Sequence, residues 1–355
     1  MKYYMNKRVL LGMSGGVDSS VSAILLKKQG YEVLGCTMKL CNATKKEDVD
    51  LAINDAKKVC VKLGIEHYVF DFKKEFEDNV IRPFIKAYQD SETPNPCIEC
   101  NKFLKFGLFY DKAIELNCDY IATGHYARIE YSDKYGQNVL KKASEEKKDQ
   151  SYFLYQIEKN KLNNIIFPLQ SYTEKEEIRK IAERNGLEIA QKKDSQEICF
   201  VPENDYQNFL LNQEEFQIKK GNIVLKSGEI LGKHDGLYKY TIGQRKGLGV
   251  SYSEPLYVIK LDTKNNNVIV GKENDLYSDE LYAKDTNWLV NVNKKRPLNC
   301  LAKIRYRAKE SLATVFFEDD KIRVLFLDKQ RAITPGQSVV FYDEDGVLLG
   351  GGKIV

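Results

Sequence analysis

Residues 12–19 read Gly12-Met-Ser-Gly-Gly-Val-Asp-Ser19, and what flanks them matters as much as their identity. Val9, Leu10 and Leu11 precede them as a short apolar run suited to a buried strand. Val17, Val21, Ile24 and Leu25 follow at helical spacing until Gly30. A strand, a glycine-rich turn and a helix in that order make an anion site. Gly15 and Gly16 let the backbone come close to a ligand, and the helix's first N–H groups and its dipole face the same point. Ser14 and Ser19 add hydroxyl donors.

The loop lacks the lysine before Ser/Thr found in Gly-x-x-x-x-Gly-Lys-Ser/Thr loops, so it grips a different part of a polyphosphate. Asp18 is itself an anion, and a Mg2+ between it and the phosphates is the natural reading. A strand-to-helix turn without a ligand is the plain alternative.

Outward from this loop, strand-like and helix-like stretches alternate to about Thr123, the pattern of a doubly wound parallel sheet. Tyr31 to Met38 is the expected second strand, Asp48 to Leu63 a helix, and Ile65 to Phe72 and Tyr120 to Thr123 further strands. Ligands of such sheets bind at strand C-termini. Met38 and Gly124 fall there and are adenosine-pocket candidates, with His125 beside them. Met38 is equally readable as core.

At 355 residues two or three domains are expected. Hydrophobic content of 43% with 30% charged residues describes a globular protein, and no apolar run approaches a membrane span. Because Met1 to Arg8 lead straight into the first strand, a cytoplasmic protein without a signal peptide is expected. Its eight cysteines then read as reactive, metal-binding or buried thiols rather than a disulfide framework. The net charge of +4 comes entirely from beyond residue 205, too small an excess to identify a nucleic-acid binder.

Ser91-Glu-Thr-Pro-Asn-Pro-Cys97-Ile-Glu-Cys100-Asn101 interrupts the alternation. Its two prolines predict a stiff exposed loop with a helix resuming at Asn101. Cys100 would then stand just before a helix start, where the dipole favours thiolate. The charged stretch from Ser132 to Gln150 reads as a solvated surface excursion. Thr173 with Glu176 reads as a capping box, and Gln191 to Cys199 as a polar loop delivering one thiol. Beyond Lys219 come short β-like runs, including Trp288 to Val292 and Ala302 to Tyr306, separated by Gly, Asn and Asp turns. They predict a small linking module and then a barrel. The expected domains are 1–205, 206–275 and 276–355.

Six motifs stand in one order: the loop at 12–19, Thr93-Pro-Asn-Pro ahead of Cys100-Asn-Lys, Thr123-Gly-His-Tyr-Ala-Arg128, Lys148-Asp-Gln150, Ser195-Gln-Glu-Ile-Cys199-Phe and Tyr240-Thr-Ile-Gly-Gln-Arg245. The first resembles the PP-loop of ATP pyrophosphatases, which cut ATP between its alpha and beta phosphates. Together the six resemble the tRNA-specific 2-thiouridylase family, from the first strand into the β-rich region. The resemblance implies an adenine nucleotide alpha hydrolase-like PP-loop domain, a small central β-rich domain and a C-terminal β-barrel. It implies replacement of the C2 oxygen of the wobble uridine of a tRNA by sulfur, ATP becoming AMP and pyrophosphate.

Position by position, the resemblance has Gly12, Met13, Ser14, Gly15, Gly16, Val17, Asp18 and Ser19 binding ATP, with Met38 and Gly124 flanking the nucleotide. Cys100 would be the nucleophile. Cys199 would carry a persulfide and afterwards pair with Cys100 in a disulfide. Asn95, Pro96 and Cys97 would meet the target base, and Lys148, Asp149, Gln150, Arg305 and Tyr306 the tRNA. A sulfur-donor protein, such as a cysteine desulfurase or a sulfur relay, and a thiol reductant are the implied partners, besides tRNA. One departure stands out: position 97 is often acidic in relatives, whereas Cys97, Cys100 and Cys199 give three thiols. Three thiols could hold an iron–sulfur cluster with one open iron, so that reading and the two-cysteine persulfide cycle both stand. Another PP-loop synthetase, using a nitrogen nucleophile and no thiols, and a non-catalytic ATP sensor are the competing readings.

Overall fold

The computed structural model describes residues 7–41, 46–187, 189 and 198–355. Ser195, Gln196 and Glu197 of the fifth motif therefore lie outside the described residues. Strands β1 (Arg8–Gly12), β2 (Glu32–Lys39), β3 (Glu66–Asp71) and β4 (Tyr120–Ala122) are followed by a hairpin, β5 (Arg128–Ser132) and β6 (Gln137–Lys141), and by the short β7 (Ile165–Ile166). All but the hairpin form one parallel sheet in the order β3-β2-β1-β4-β7. The order reverses between β1 and β4, and a crevice opens at their C-terminal ends.

Strand alternation divides the apolar residues between two faces. Val9, Leu11, Val33 and Ala122 pack with helices α1 (Val17–Lys28) and α2 (Lys46–Leu63). Leu10, Leu34, Cys36 and Ile121 pack on the other face with helices α3 (residues 73–89) and α4 (residues 96–115). Helix α5 (Lys175–Arg184) joins the first face through Ile178 and Ala182. Val9, Leu10 and Leu11 have no exposure at all. Each contributes roughly 1.5–3 kcal/mol by burial, which fixes β1 as the central strand and the loop after it as a rigid feature.

Beyond α6 (Tyr206–Leu211), the strands β8 (Gly221–Leu225), β9 (Ile230–His234), β10 (Tyr257–Asp262) and β11 (Asn267–Gly271) make a small sheet in the order β10-β11-β8-β9. It has its own apolar cluster around Ile223, Val258, Val268 and Val270. Strands β12 (Tyr277–Trp288), β13 (Leu298–Lys303), β14 (Ser311–Phe317), β15 (Ile322–Arg331), β16 (Ser338–Tyr342) and β17 (Leu348–Ile354) close a barrel. It docks on the first unit by buried hydroxyls. Tyr152 Oη donates to the Ser338 carbonyl at 2.9 Å, and Ser151 Oγ lies 3.0 Å from Tyr342 Oη. The Pro-rich segment is pinned from the same side, because Thr93 N–H donates to the Pro335 carbonyl at 2.9 Å.

The architecture is the expected doubly wound sheet followed by a β-rich module and a barrel. Several local expectations fail. The segment 132–150 is the ordered β5–β6 hairpin and its exit, with Val139 and Leu140 fully buried. Its charges do not repel it into solvent, because Lys134 pairs with barrel Asp343 at 2.9 Å and Lys142 with Glu310. No capping box forms at Thr173: α5 starts at Lys175 with Glu174 as an N-cap that makes no side-chain bond. Strand β12 ends at Trp288, where the expected strand would begin, and β13 ends before Arg305. Strand β17 was invisible in sequence because it runs Leu-Leu-Gly-Gly-Gly-Lys-Ile. Those glycines serve close packing, since a Cβ on Gly351 would lie 2.7 Å from the Tyr155 ring.

Candidate active site

The loop leaves β1 at Gly12 and enters α1 at Val17. Gly15 takes a positive φ of 68°, and a Cβ there would stand 2.5 Å from the Ala52 carbonyl of α2. Only glycine fits both constraints. Ser19 Oγ ties the turn together by accepting from Ser14 N–H at 3.2 Å and donating to the Gly16 carbonyl at 3.1 Å. Gly16 is the N-cap of α1 and no side chain caps it, so the helix start is left to a ligand. Met13 N–H donates to the Cys36 carbonyl, and Thr37 Oγ1 donates to the Met13 carbonyl, locking the loop to β2.

From the other side of the crevice comes the turn after β4. A Cβ on Gly124 would lie 3.3 Å from both Asp18 Cβ and Ser19 N, so the two loops touch. Met38 approaches Gly12, its Cε being 3.8 Å from the place of a Gly12 Cβ. Gly12 to Ser19, Met38 and Gly124 thus stand together at the C-terminal ends of β1, β2 and β4. His125 Nδ1 lies 2.7 Å from Thr123 Oγ1, and burial, with Lys105 nearby, pulls the ring well below the usual histidine range. It stands neutral at pH 7.

Two residues that the sequence reading passed over complete this end. Lys175 Nζ lies 2.7 and 2.8 Å from the two carboxylate oxygens of Asp18, and Tyr126 Oη donates to one of them at 2.9 Å. A signal for Lys175 existed. A cation in the first turn of a helix opposes the dipole and needs a carboxylate in compensation.

The Lys148-Asp-Gln150 motif divides by role. Asp149 is buried and accepts from Ala143 N–H at 2.9 Å and from Ser151 Oγ at 2.8 Å. Gln150 Oε1 accepts from Tyr126 N–H at 3.0 Å. Lys148 Nζ is buried without a hydrogen-bond partner among the described residues, 5.2 Å over the Tyr126 ring. Arg305 reaches back to the Ala332 carbonyl and to Thr334 Oγ1 at 2.9 Å, so its guanidinium is held by the barrel. Tyr306 stacks on Phe153 with centroids 4.4 Å apart, and Arg307 is exposed.

Two of the three thiols, Cys97 and Cys100, stand on α4. This helix begins at Pro96, with Asn95 as N-cap, so Cys100 is inside it at the start of a wide π-type stretch, Cys100–Leu108. The expectation of a thiol just before a helix start, with the dipole favouring thiolate, is therefore corrected. Proline is well suited to the first helical position, and the two prolines started the helix instead of preventing it. Burial pushes the Cys100 thiol up, and Lys105 opposes that rise. Cys97 is raised by burial and eased by Lys105 in the same way. Cys199 has an exposed side chain, so although crowding around its sulfur raises the thiol, with Cys100, Cys41 and Cys97 adding and Lys105 opposing, solvent reaches it and the rise is smaller than full burial would give. Lys105 thus acts on three thiols and on His125, linking the thiols to the turn after β4. Cys36 and Cys60 are buried, whereas Cys118 is half-buried.

Known proteins resemble the chain throughout its length. The tRNA methyl transferase HUP domain family matches residues 7–203, the tRNA methyl transferase PRC-barrel domain 207–272, and the aminomethyltransferase beta-barrel domain 278–354. The tRNA-specific 2-thiouridylase MnmA of Clostridioides difficile is 47% identical over 358 residues, covering 99% of each chain. Its namesake in Acetivibrio thermocellus is 48% identical over 357 residues, covering 98% of this chain and 99% of that one. Among solved structures, the U34-tRNA thiolase NcsA of Methanococcus maripaludis aligns with a TM-score of 0.37 at 22% identity, over 56% of this chain and 62% of that one. Full-length identity at this level, over a chain carrying all six motifs, places the protein in the tRNA-specific 2-thiouridylase family.

Proposed function

We propose that this chain is a tRNA 2-thiouridylase that adenylates the C2 oxygen of the wobble uridine with ATP and then delivers sulfur from a persulfide on Cys199. The observation that carries the reading is Lys105, which couples the strand-end His125 to Cys97, Cys100 and Cys199. In this reading the nucleotide loop and the thiols act together as one site. The uridine C2 oxygen attacks the alpha phosphorus, and pyrophosphate leaves. The outer sulfur of the Cys199 persulfide then attacks C2, and AMP leaves. Cys100 thiolate attacks Cys199 Sγ, which frees the sulfur on C2 as 2-thiouridine and leaves a Cys100–Cys199 disulfide. A thiol reductant reopens it, and a sulfur-donor protein reloads Cys199. Splitting one step into two is what a nucleophile and a good leaving group achieve, since a carbonyl oxygen leaves poorly until it carries AMP.

Gly12 to Ser19, Met38 and Gly124 hold the ATP in this reading. Asp18, Ser14 and Ser19 offer the hard oxygen donors that Mg2+ takes together with phosphate oxygens, and Mg2+ there would neutralise the departing pyrophosphate. The cluster alternative fits less well. Among the described residues no three Cys, His, Asp or Glu side chains stand together as a metal-holding group. Asn95, Pro96 and Cys97 open α4 beside the thiols and are proposed to meet the base, flipped from its stack. Lys148 and Tyr306 are proposed RNA contacts, with Asp149, Gln150 and Arg305 shaping the surface around them. Residues 1–205, 206–275 and 276–355 are proposed as the catalytic, tRNA-contacting linker and barrel domains. A cytoplasmic location is proposed to go with this substrate, and among the described residues no helix is long and apolar enough to cross a membrane.

The test is thiolation of unmodified tRNA with ATP and a sulfur source under anaerobic conditions, with iron content measured alongside. An iron-free protein that thiolates tRNA and loses this in Cys199→Ser supports the persulfide cycle. Activity that tracks iron overturns it.

A further inference from the structure

Between Thr286 and Lys309 the sequence holds seven lysines and arginines and no aspartate or glutamate, a local charge of +7 in a chain whose total is +4. Among the described residues none of the seven has a carboxylate partner, whereas the barrel cations Lys284 and Arg323 pair with Asp320 and Glu280. The stretch runs through β13, which divides its cations into two groups. Arg305, Arg307 and Lys309 follow the strand at the end that meets the thiol-bearing helix: Tyr306 stacks on Phe153, and the Phe153 carbonyl accepts at 3.0 Å from Asn101, next in sequence to Cys100. Lys294, Lys295 and Arg296 precede the strand in an exposed turn. A strand of six residues sets the two groups roughly 20 Å apart.

The turn is held in shape. Asn293 Oδ1 accepts from Lys295 N–H at 3.0 Å, the Asn293 carbonyl accepts from Arg296 N–H at 3.2 Å, and Pro297 stiffens the exit. The first unit holds the approach to it, because Gln137 donates to the Leu289 carbonyl at 2.8 Å and Lys159 to Asn291 Oδ1 at 2.7 Å. Among the described residues no large apolar side chain is exposed between 286 and 309. Protein interfaces are anchored by aromatic and apolar groups and are poor in lysine, so bare cations without such anchors fit a phosphate backbone instead.

We propose that the Lys294-Lys295-Arg296 turn grips the sugar–phosphate backbone of a paired stem of the tRNA while the target base lies toward the other end of β13. The proposal rests on the tRNA reading above and adds a contact to it. A base taken out for chemistry comes from a single-stranded loop, and a cationic turn roughly 20 Å away meets the helical part of the same molecule. Side chains cannot read the deep, narrow groove of an RNA helix, so its phosphates are what a stem offers. Such a contact supplies affinity and register without sequence preference.

The test uses the full-length protein and unmodified full-length tRNA. Lys294→Gln/Lys295→Gln/Arg296→Gln is compared with wild type by binding titrations at several salt concentrations, hydroxyl-radical footprinting and steady-state thiolation. Loss of three phosphate contacts is expected to lower the slope of log affinity against log salt by about 2–3, and the affinity at about 0.1 M salt by at least about tenfold. KM for tRNA rises with kcat unchanged. Backbone protection disappears from a stem and stays on the loop that holds the target base. The replaced side chains are exposed and make no hydrogen bond among the described residues, so the urea midpoint stays in place. Wild-type affinity and salt slope in the variant would overturn the proposal, and so would equal loss of protection from loop and stem. If tRNA binding is intact while sulfur uptake from a cysteine desulfurase is lost, the turn docks a protein; the proposal is then wrong and the tRNA reading survives. If the wild type protects no part of the tRNA, that reading falls as well.

Discussion

Lys175, in the first turn of α5, neutralises Asp18, in the first turn of α1, through both carboxylate oxygens. The pair stands at the start of the helix that follows the glycine-rich loop. Both side chains are mostly buried, so the contact is stronger than a surface ion pair. On the proposed function, Lys175 would turn to a phosphate and Asp18 to a metal once ATP and Mg2+ bind. Replacing Lys175 with Met is expected to lower tRNA-dependent pyrophosphate release by about 10²-fold, the usual effect of removing one charge-stabilising donor. The same variant is expected to lose only about 1–2 kcal/mol in urea unfolding. Unchanged pyrophosphate release would make Lys175 a purely structural partner.

Gly15→Ala tests the loop itself. The new Cβ meets the Ala52 carbonyl at 2.5 Å and the backbone must keep a positive φ. A loss of roughly 1–3 kcal/mol is expected from the strain, together with loss of the thermal stabilisation that ATP gives the wild type. Thermal melts with and without ATP measure both.

Two neighbours in one motif are expected to behave oppositely. Asp149 satisfies Ala143 N–H, Ser151 N–H and Ser151 Oγ, so Asp149→Ala leaves buried donors unpaired. It should cost about 2–4 kcal/mol. Among the described residues Lys148 Nζ has no hydrogen bond to lose, only its place over the Tyr126 ring, so Lys148→Met should keep or raise the urea midpoint while thiolation of tRNA falls. If Lys148→Met also unfolds the protein, its ammonium is structural.

All three histidines are held below their usual range, each by burial first. An unfolded histidine takes a proton near pH 6.5, whereas the folded ones take it only at lower pH. Their contribution is thus complete above about pH 6.5 and is lost as pH falls toward the folded values. The slope reaches at most about 1.4 kcal/mol per pH unit for the fully enclosed His125, and less for the other two. Urea unfolding between pH 7 and 5 should show it, and His125→Gln should flatten it.

Lys105 is the cation that opposes the rise of Cys97, Cys100 and Cys199. Lys105→Gln is expected to slow iodoacetamide labelling of Cys199 at pH 8 several-fold, because the thiolate fraction falls. Equal labelling rates would remove Lys105 from the site.

The loop from Gly12 to Ser19, the central strand before it, the doubly wound sheet and the thiols at 97, 100 and 199 were legible in the sequence. Each rests on local chemistry: an apolar run, a glycine pair, a helical repeat, a residue type. Residue order alone could not show that α5 returns Lys175 to Asp18, across 157 positions. Nor could it show that Pro96 begins a helix, or that the charges of 132–150 are met by Asp343 and Glu310 of the barrel. Partners far apart in sequence are brought together by the order of strands and the packing of helices on both sheet faces, and only the folded chain fixes those. The sequence determined which groups could do the chemistry, and the tertiary structure decided which of them meet.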